Sequence, residues 1–113
     1  VNTPDGEPIA PATAGAIGEL RVCADLMERG FEVFRALSQA RHSCDIVALR
    51  NGLMLRIEVR TGTQRTPSTG YVSYMKNRSL RTYSDRPSYA QEPDHYAVMW
   101  QGELIRYDPE LPM

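Results

Sequence analysis

Apolar positions recur along this chain with two periods, and the change of period marks the elements. From Ala14 to Arg29 the spacing is helical. With residues placed about 100° apart from Ala16, Ile17, Leu20, Cys23, Ala24 and Met27 share one arc, with Leu26 at its border. Arg21, Asp25, Glu28 and Arg29 fall on the opposite side. Thr13 supplies an N-cap, and Gly30 is the C′ glycine that ends the helix. After Gly30 the period drops to two. "FEVFRAL" predicts a first strand. Residues 44–50 and 53–61 predict a hairpin about Asn51-Gly52, the strongest two-residue turn signal. "YVSYM" predicts a short strand after a loop over 61–70, and "HYAVMW" and "ELIRY" a second hairpin about Gln101-Gly102. Residues 76–94, polar and punctuated by prolines, predict a long loop with a helical turn or two. Residues 1–13 carry three prolines and predict a flexible arm, leaving 14–113 as a single domain. The fold class is therefore α+β, an N-terminal helix packed on a mixed, largely antiparallel sheet.

The Asn-Gly turn also sets a register. Residue 50 faces 53, so Asp45 faces Glu58 on one side of the hairpin. The other side, from Cys44, Ile46 and Ala48 to Leu53, Leu55, Ile57 and Val59, is apolar and predicts core. Two carboxylates roughly 5 Å apart repel by about 3 kcal/mol at an effective dielectric near 20. Arg56, Arg60, a shared proton or a divalent cation would offset that repulsion. A hard cation suits the pair, because Mg²⁺ is held by one or two carboxylates, water and phosphate oxygens. An Asp–Arg–Glu ion network on a solvated face is the bland alternative. Glu19 lies inside the apolar arc of the helix and needs a partner of its own. An arginine at the helix–sheet boundary would serve.

Net charge is −1, but it is unevenly spread. Residues 35–86 hold ten basic and three acidic side chains, against two and six in 1–34 and one and five in 87–113. A basic middle that spares Asp45 and Glu58 is the footprint of a polyanion ligand or, more blandly, a solvated surface. Arg65, Lys76, Arg78, Arg81 and Arg86 are interleaved with Tyr71, Tyr74 and Tyr83, which suits phosphate contacts. The tyrosines serve as core or loop anchors or as stacking platforms. Gln64, four residues past Arg60, is within reach of the same site. His42 and His95 are isolated and read as structural, and Trp100 as core at a sheet edge or a dimer contact. No apolar run reaches membrane-spanning length. Cys23 and Cys44 lack metal-ligand spacing and predict free thiols in a reducing cytoplasm, with a disulfide between them as the alternative.

"GAIGEL", "SCDIVAL" and "IEVR" together resemble the PD-(D/E)xK nuclease superfamily, in the manner of small Holliday-junction-resolvase-like endonuclease domains. The resemblance covers residues 14–62 well and 94–110 loosely. It implies an α/β/α-like restriction-endonuclease core and a metal-dependent DNA endonuclease, structure-specific and homodimeric. It implies Glu19, Asp45, Glu58 and Arg60 as catalytic residues. Mg²⁺ or Mn²⁺ would be held by Asp45, Glu58 and the Val59 carbonyl, with Glu19 acting through water. Arg65, Lys76, Arg78 and Arg81 would bind nucleic acid. Arg60 stands where the family has lysine; it can hold a phosphate but cannot be a general base. A nuclease-fold domain that binds nucleic acid without cutting it, and a partner-binding domain with structural ion pairs, stay open beside that reading.

Overall fold

The computed structural model describes residues 2–37, 44–75 and 92–112. Helix α1 spans Pro11–Glu28, starting three residues before the predicted Ala14. Pro11 takes the first helical position, where its fixed φ suits the helix and its missing N–H is not needed. Ala10 rather than Thr13 is the N-cap, and no side chain caps this end. The C-terminus follows the sequence. Gly30 has φ +92° and donates to the Met27 carbonyl, while the Phe31 N–H donates to Leu26. This is a Schellman motif, with Phe31 and Leu26 packed in the core. Gly30→Ala would force a side chain into that conformation, and is expected to cost about 1 kcal/mol. Urea denaturation at unchanged m-value checks it.

The buried stripe of α1 is Gly18, Val22, Cys23 and Leu26. Leu20 and Met27, expected inside, are 54% and 57% exposed, and Ala24 is also exposed. The true stripe is rotated toward Val22, and the apolar residues left over face outward. Glu19 stays beside the buried stripe, with its side chain 24% exposed.

Five strands form one sheet in the order β1 (Glu32–Arg35), β2 (Ile46–Arg50), β3 (Leu53–Thr61), β6 (His95–Trp100) and β7 (Glu103–Asp108). The β2–β3 hairpin has the predicted register, from Arg50 opposite Leu53 to Ile46 opposite Ile57. Its turn residues Asn51 and Gly52 both have positive φ, as a type I′ turn requires. β2 begins at Ile46, two residues later than predicted. β3 runs parallel to β6, and every other neighbouring pair is antiparallel. The second hairpin turns at Gln101-Gly102 as expected, with a bulge at Val98/Met99 that the sequence does not announce. Two short strands, β4 (Gln64–Arg65) and β5 (Val72–Ser73), make a separate ribbon, β4 lying in the predicted loop.

One face of the sheet packs on α1 through Ile46, Ala48, Leu55, Ile57 and Ala97, with Leu53 and Val59 at its edge. Tyr107 joins this core and donates to Asp25 Oδ2 at 2.7 Å, tying β7 to the helix. His95 is buried with Nδ1 2.7 Å from the Pro109 carbonyl oxygen, a structural role as the sequence suggests. Cys23 and Cys44 are free thiols, and Trp100 is half-buried. Among the described residues no helix is long and apolar enough to cross a membrane.

Candidate active site

Alternation along β3 places Ile57 and Val59 toward α1 and Glu58 and Arg60 toward the opposite face. Asp45, just before β2, extends the same register and comes up beside them. Its Oδ2 accepts from the Val59 N–H at 2.7 Å, and its own carbonyl accepts from Ala36. Asp45 thus completes pairing that β2 leaves unmade where it frays. Glu58 Oε2 accepts from Arg60 Nη2 at 2.7 Å, with both side chains about one-fifth exposed. Arg60 also donates to the Met75 carbonyl at 3.2 Å, and its guanidinium lies 5.9 Å from the Tyr96 ring centre.

The Glu58 carboxyl is pushed above the ordinary glutamate range. Burial is the main cause; Arg60 opposes it, while the charges of Asp45 and Glu92 add to it. The folded chain therefore holds the proton on Glu58 more readily than the unfolded chain does. Stability from this group is full below the ordinary value of 4.5 and is lost as pH rises through the higher folded value. Glu58→Gln, which mimics the neutral acid, is expected to melt above the wild type at neutral pH. That advantage should shrink toward zero as pH falls below the ordinary glutamate value. Thermal melts across that range check the sign.

Around this pair the outer face carries an interlocked set of aromatic and charged side chains. Tyr96 is the register partner of Glu58 and donates its hydroxyl to Glu92 at 3.0 Å. The Tyr74 ring lies 5.3 Å from that of Tyr96, and its hydroxyl donates to Asp108 at 2.6 Å. Arg106 donates to the Val72 carbonyl at 2.8 Å and lies 4.4 Å from the Tyr71 ring centre. Arg60 and Arg106 together fasten residues 71–75 over the sheet beside Glu58. Glu92, Tyr96 and Arg106 have no local sequence signal for this role. They reach the site only through the parallel β3–β6 pairing and the strand beyond it.

Glu19 is held elsewhere. Its Oε1 accepts from Arg35 Nη2 at 3.1 Å, the arginine at the helix–sheet boundary. Arg65 is exposed and donates to the Gly70 carbonyl at 3.2 Å, within its own turn. Gln64 is exposed on β4. Lys76, Arg78, Arg81 and Arg86, with His42 and Tyr83, lie outside the described residues. Among the described residues no three His, Cys, Asp or Glu side chains are close enough to hold a metal ion. Among the described residues the hydrogen bonds of this pair go to Asp45 Oδ2 and Glu58 Oε2, so a cation held at this place would take Asp45 Oδ1 and Glu58 Oε1.

No protein-family model matches the chain, and no curated protein matches it. Among solved structures it is similar to the bacterial homing endonuclease I-Ssp6803I, with a TM-score of 0.59 and 20% identity over 81% of this chain. The chain spans 59% of that protein's length. At this identity the likeness establishes a shared fold.

Proposed function

We propose that this chain is a nuclease domain of the PD-(D/E)xK type that hydrolyses DNA phosphodiester bonds with Mg²⁺ or Mn²⁺. The observation that carries the reading is the meeting of Asp45 and Glu58 beside Arg60, at the mouth of the first hairpin. The fold shared with a homing endonuclease supports it. The pair fits a hard cation: its donors are oxygens, it is half-buried, and Glu58 is under the repulsion of two neighbouring acids. A bound divalent cation would acidify water and neutralise charge on the scissile phosphate. The chain's own residues hold that chemistry in place. Asp45 is fixed by the Val59 N–H, and Glu58 is oriented by Arg60. Arg60, with five donors, orients a phosphate oxygen as it does the Glu58 carboxylate. The water's proton leaves through substrate or solvent, because arginine cannot take it. Glu19 enters through water only if it parts from Arg35. Arg65 and the basic residues of 76–86 contribute sequence-independent phosphate contacts.

A second reading is favoured by the engagement of Arg60 with Glu58 and Met75: a domain that binds DNA and does not cut it. Magnesium titration with linear and branched DNA decides between them. Cleavage that needs the cation and is lost in Asp45→Ala and Glu58→Ala supports the nuclease. Salt-sensitive binding without cleavage supports the second reading. No binding at low salt overturns both and leaves a partner-binding domain with structural ion pairs. A preference for the branched substrate is the expected mark of resolvase-like specificity.

A further inference from the structure

Past Arg60 the chain leaves the sheet as the ribbon of β4 and β5, and its composition changes. Residues 61–75 hold one charged side chain, Arg65, and no acid. In the ribbon Gln64 faces Ser73 and Arg65 faces Val72. The Thr66 N–H donates to the Tyr71 carbonyl at 2.8 Å, so the register continues one pair further. Alternation then puts Gln64, Thr66, Tyr71 and Ser73 on one side of the ribbon and Val72 on the other. Val72 is buried beside Gly62, where β3 ends. The side turned away from it carries only uncharged side chains with hydrogen-bonding tips. Gln64 and Tyr71 are exposed there, and Thr66 and Ser73 half-buried. The ribbon is also fastened to the candidate site. Arg106 donates to the Val72 carbonyl, and Arg60, while holding Glu58, donates to the Met75 carbonyl.

We infer that this side of the ribbon enters the major groove of duplex DNA and reads base edges, so that the chain recognises a short sequence beside the Asp45–Glu58 site. The inference rests on the DNA-binding reading above and holds whether or not the chain cuts. The major groove, about 12 Å wide, admits a two-stranded ribbon. The choice of base edges over phosphates comes from the side chains. Charged groups take phosphates and carry no sequence information, whereas uncharged amides and hydroxyls match the donors and acceptors of base edges. The Gln64 amide offers the donor and acceptor that pair with one adenine, and the Thr66 and Ser73 hydroxyls serve several bases. Arg65, on the other side with its Nε donating to the Gly70 carbonyl at 3.2 Å, is left to the phosphates. A ribbon without acids meets no repulsion in the groove. Ser73 lies two residues from Met75 and Tyr71 two further on, roughly 7 Å a step. At about 3.4 Å per base pair, the bases read lie within about four base pairs of a phosphate held at Arg60.

Selection of bound molecules from linear duplexes of random sequence tests it, at low salt with Ca²⁺ replacing Mg²⁺ so that binding rather than cutting is read. The wild type is expected to enrich a short sequence. Gln64→Ala, at an exposed position, should lose the preference at one or two places, narrowing the gap between the enriched duplex and one changed there by about tenfold. Arg65→Ala should instead weaken binding to enriched and random duplexes alike and lower the salt slope by about one. Binding with no enriched sequence overturns the inference and leaves the DNA-binding reading standing. An enriched sequence that the double variant Gln64→Ala with Thr66→Ala still selects unchanged puts base recognition elsewhere and overturns it too. No binding of any duplex overturns the DNA-binding reading itself, and the inference with it.

Discussion

Asp45→Asn is expected to keep the fold and abolish cleavage, whereas Asp45→Ala should weaken the first as well as abolish the second. The distinction comes from what each oxygen does. Oδ2 accepts the Val59 N–H at 2.7 Å, at a place where β2 has frayed and cannot accept it. Asparagine keeps an acceptor there and alanine does not. An unpaired, half-buried N–H costs about 1–3 kcal/mol. Asparagine nonetheless removes the charge that a cation needs, and with it several kcal/mol of charge stabilisation in the transition state. A rate loss on the order of 10³-fold follows. Single-turnover cleavage and urea denaturation of both variants separate the two effects. Equal loss of stability in both would mean that the charge, not the hydrogen bond, holds the hairpin mouth.

The largest loss of stability is expected from Gly62→Ala. Gly62 follows β3 directly, and its N–H donates to the Met99 carbonyl at 2.7 Å. An added Cβ would lie 2.2 Å from Val72 Cγ1 and 2.9 Å from Trp100 Cε3. Val72 is fully buried and fixed by the Arg106 bond to its carbonyl, so it cannot swing away. Overpacking of this kind costs about 1–3 kcal/mol, and the upper end applies because one contact is with a buried β-branched side chain. For a domain of this size the melting temperature should fall by roughly 10 °C or more. Because residues 71–75 cover Glu58, cleavage should fall with stability. A melting point within a degree or two of the wild type would show that β5 can shift off the sheet freely.

Both sites show why parts of the structure are legible in sequence and others are not. Asn51-Gly52 is a local signal with one favoured geometry, so the pairing from Arg50–Leu53 to Ile46–Ile57, and the approach of Asp45 to Glu58, follow from a dipeptide. Gly30 is equally local. The parallel pairing of β3 with β6 crosses more than thirty intervening residues and has no dipeptide to announce it. With it the sequence misses the place of Glu92 and Tyr96 around Glu58. The helix misleads for another reason. Its apolar residues surround most of the axis, so periodicity alone centres the stripe on Leu20 and Met27 when the sheet takes Val22 and Leu26. The residues that misdirect the phase are those now exposed. Glu19 was legible as a carboxylate in need of a partner. That the partner is Arg35, on the edge strand, depends on tertiary packing that no spacing records.

The claim that Asp45 and Glu58 form a cation site is tested most directly by calorimetric titration of Mn²⁺ into the wild type, Asp45→Asn and Glu58→Gln. Saturable binding to the wild type that disappears in both folded variants is the expected result. Absent binding, or heats unchanged by either substitution, would contradict it and leave the pair as an ion network closed by Arg60.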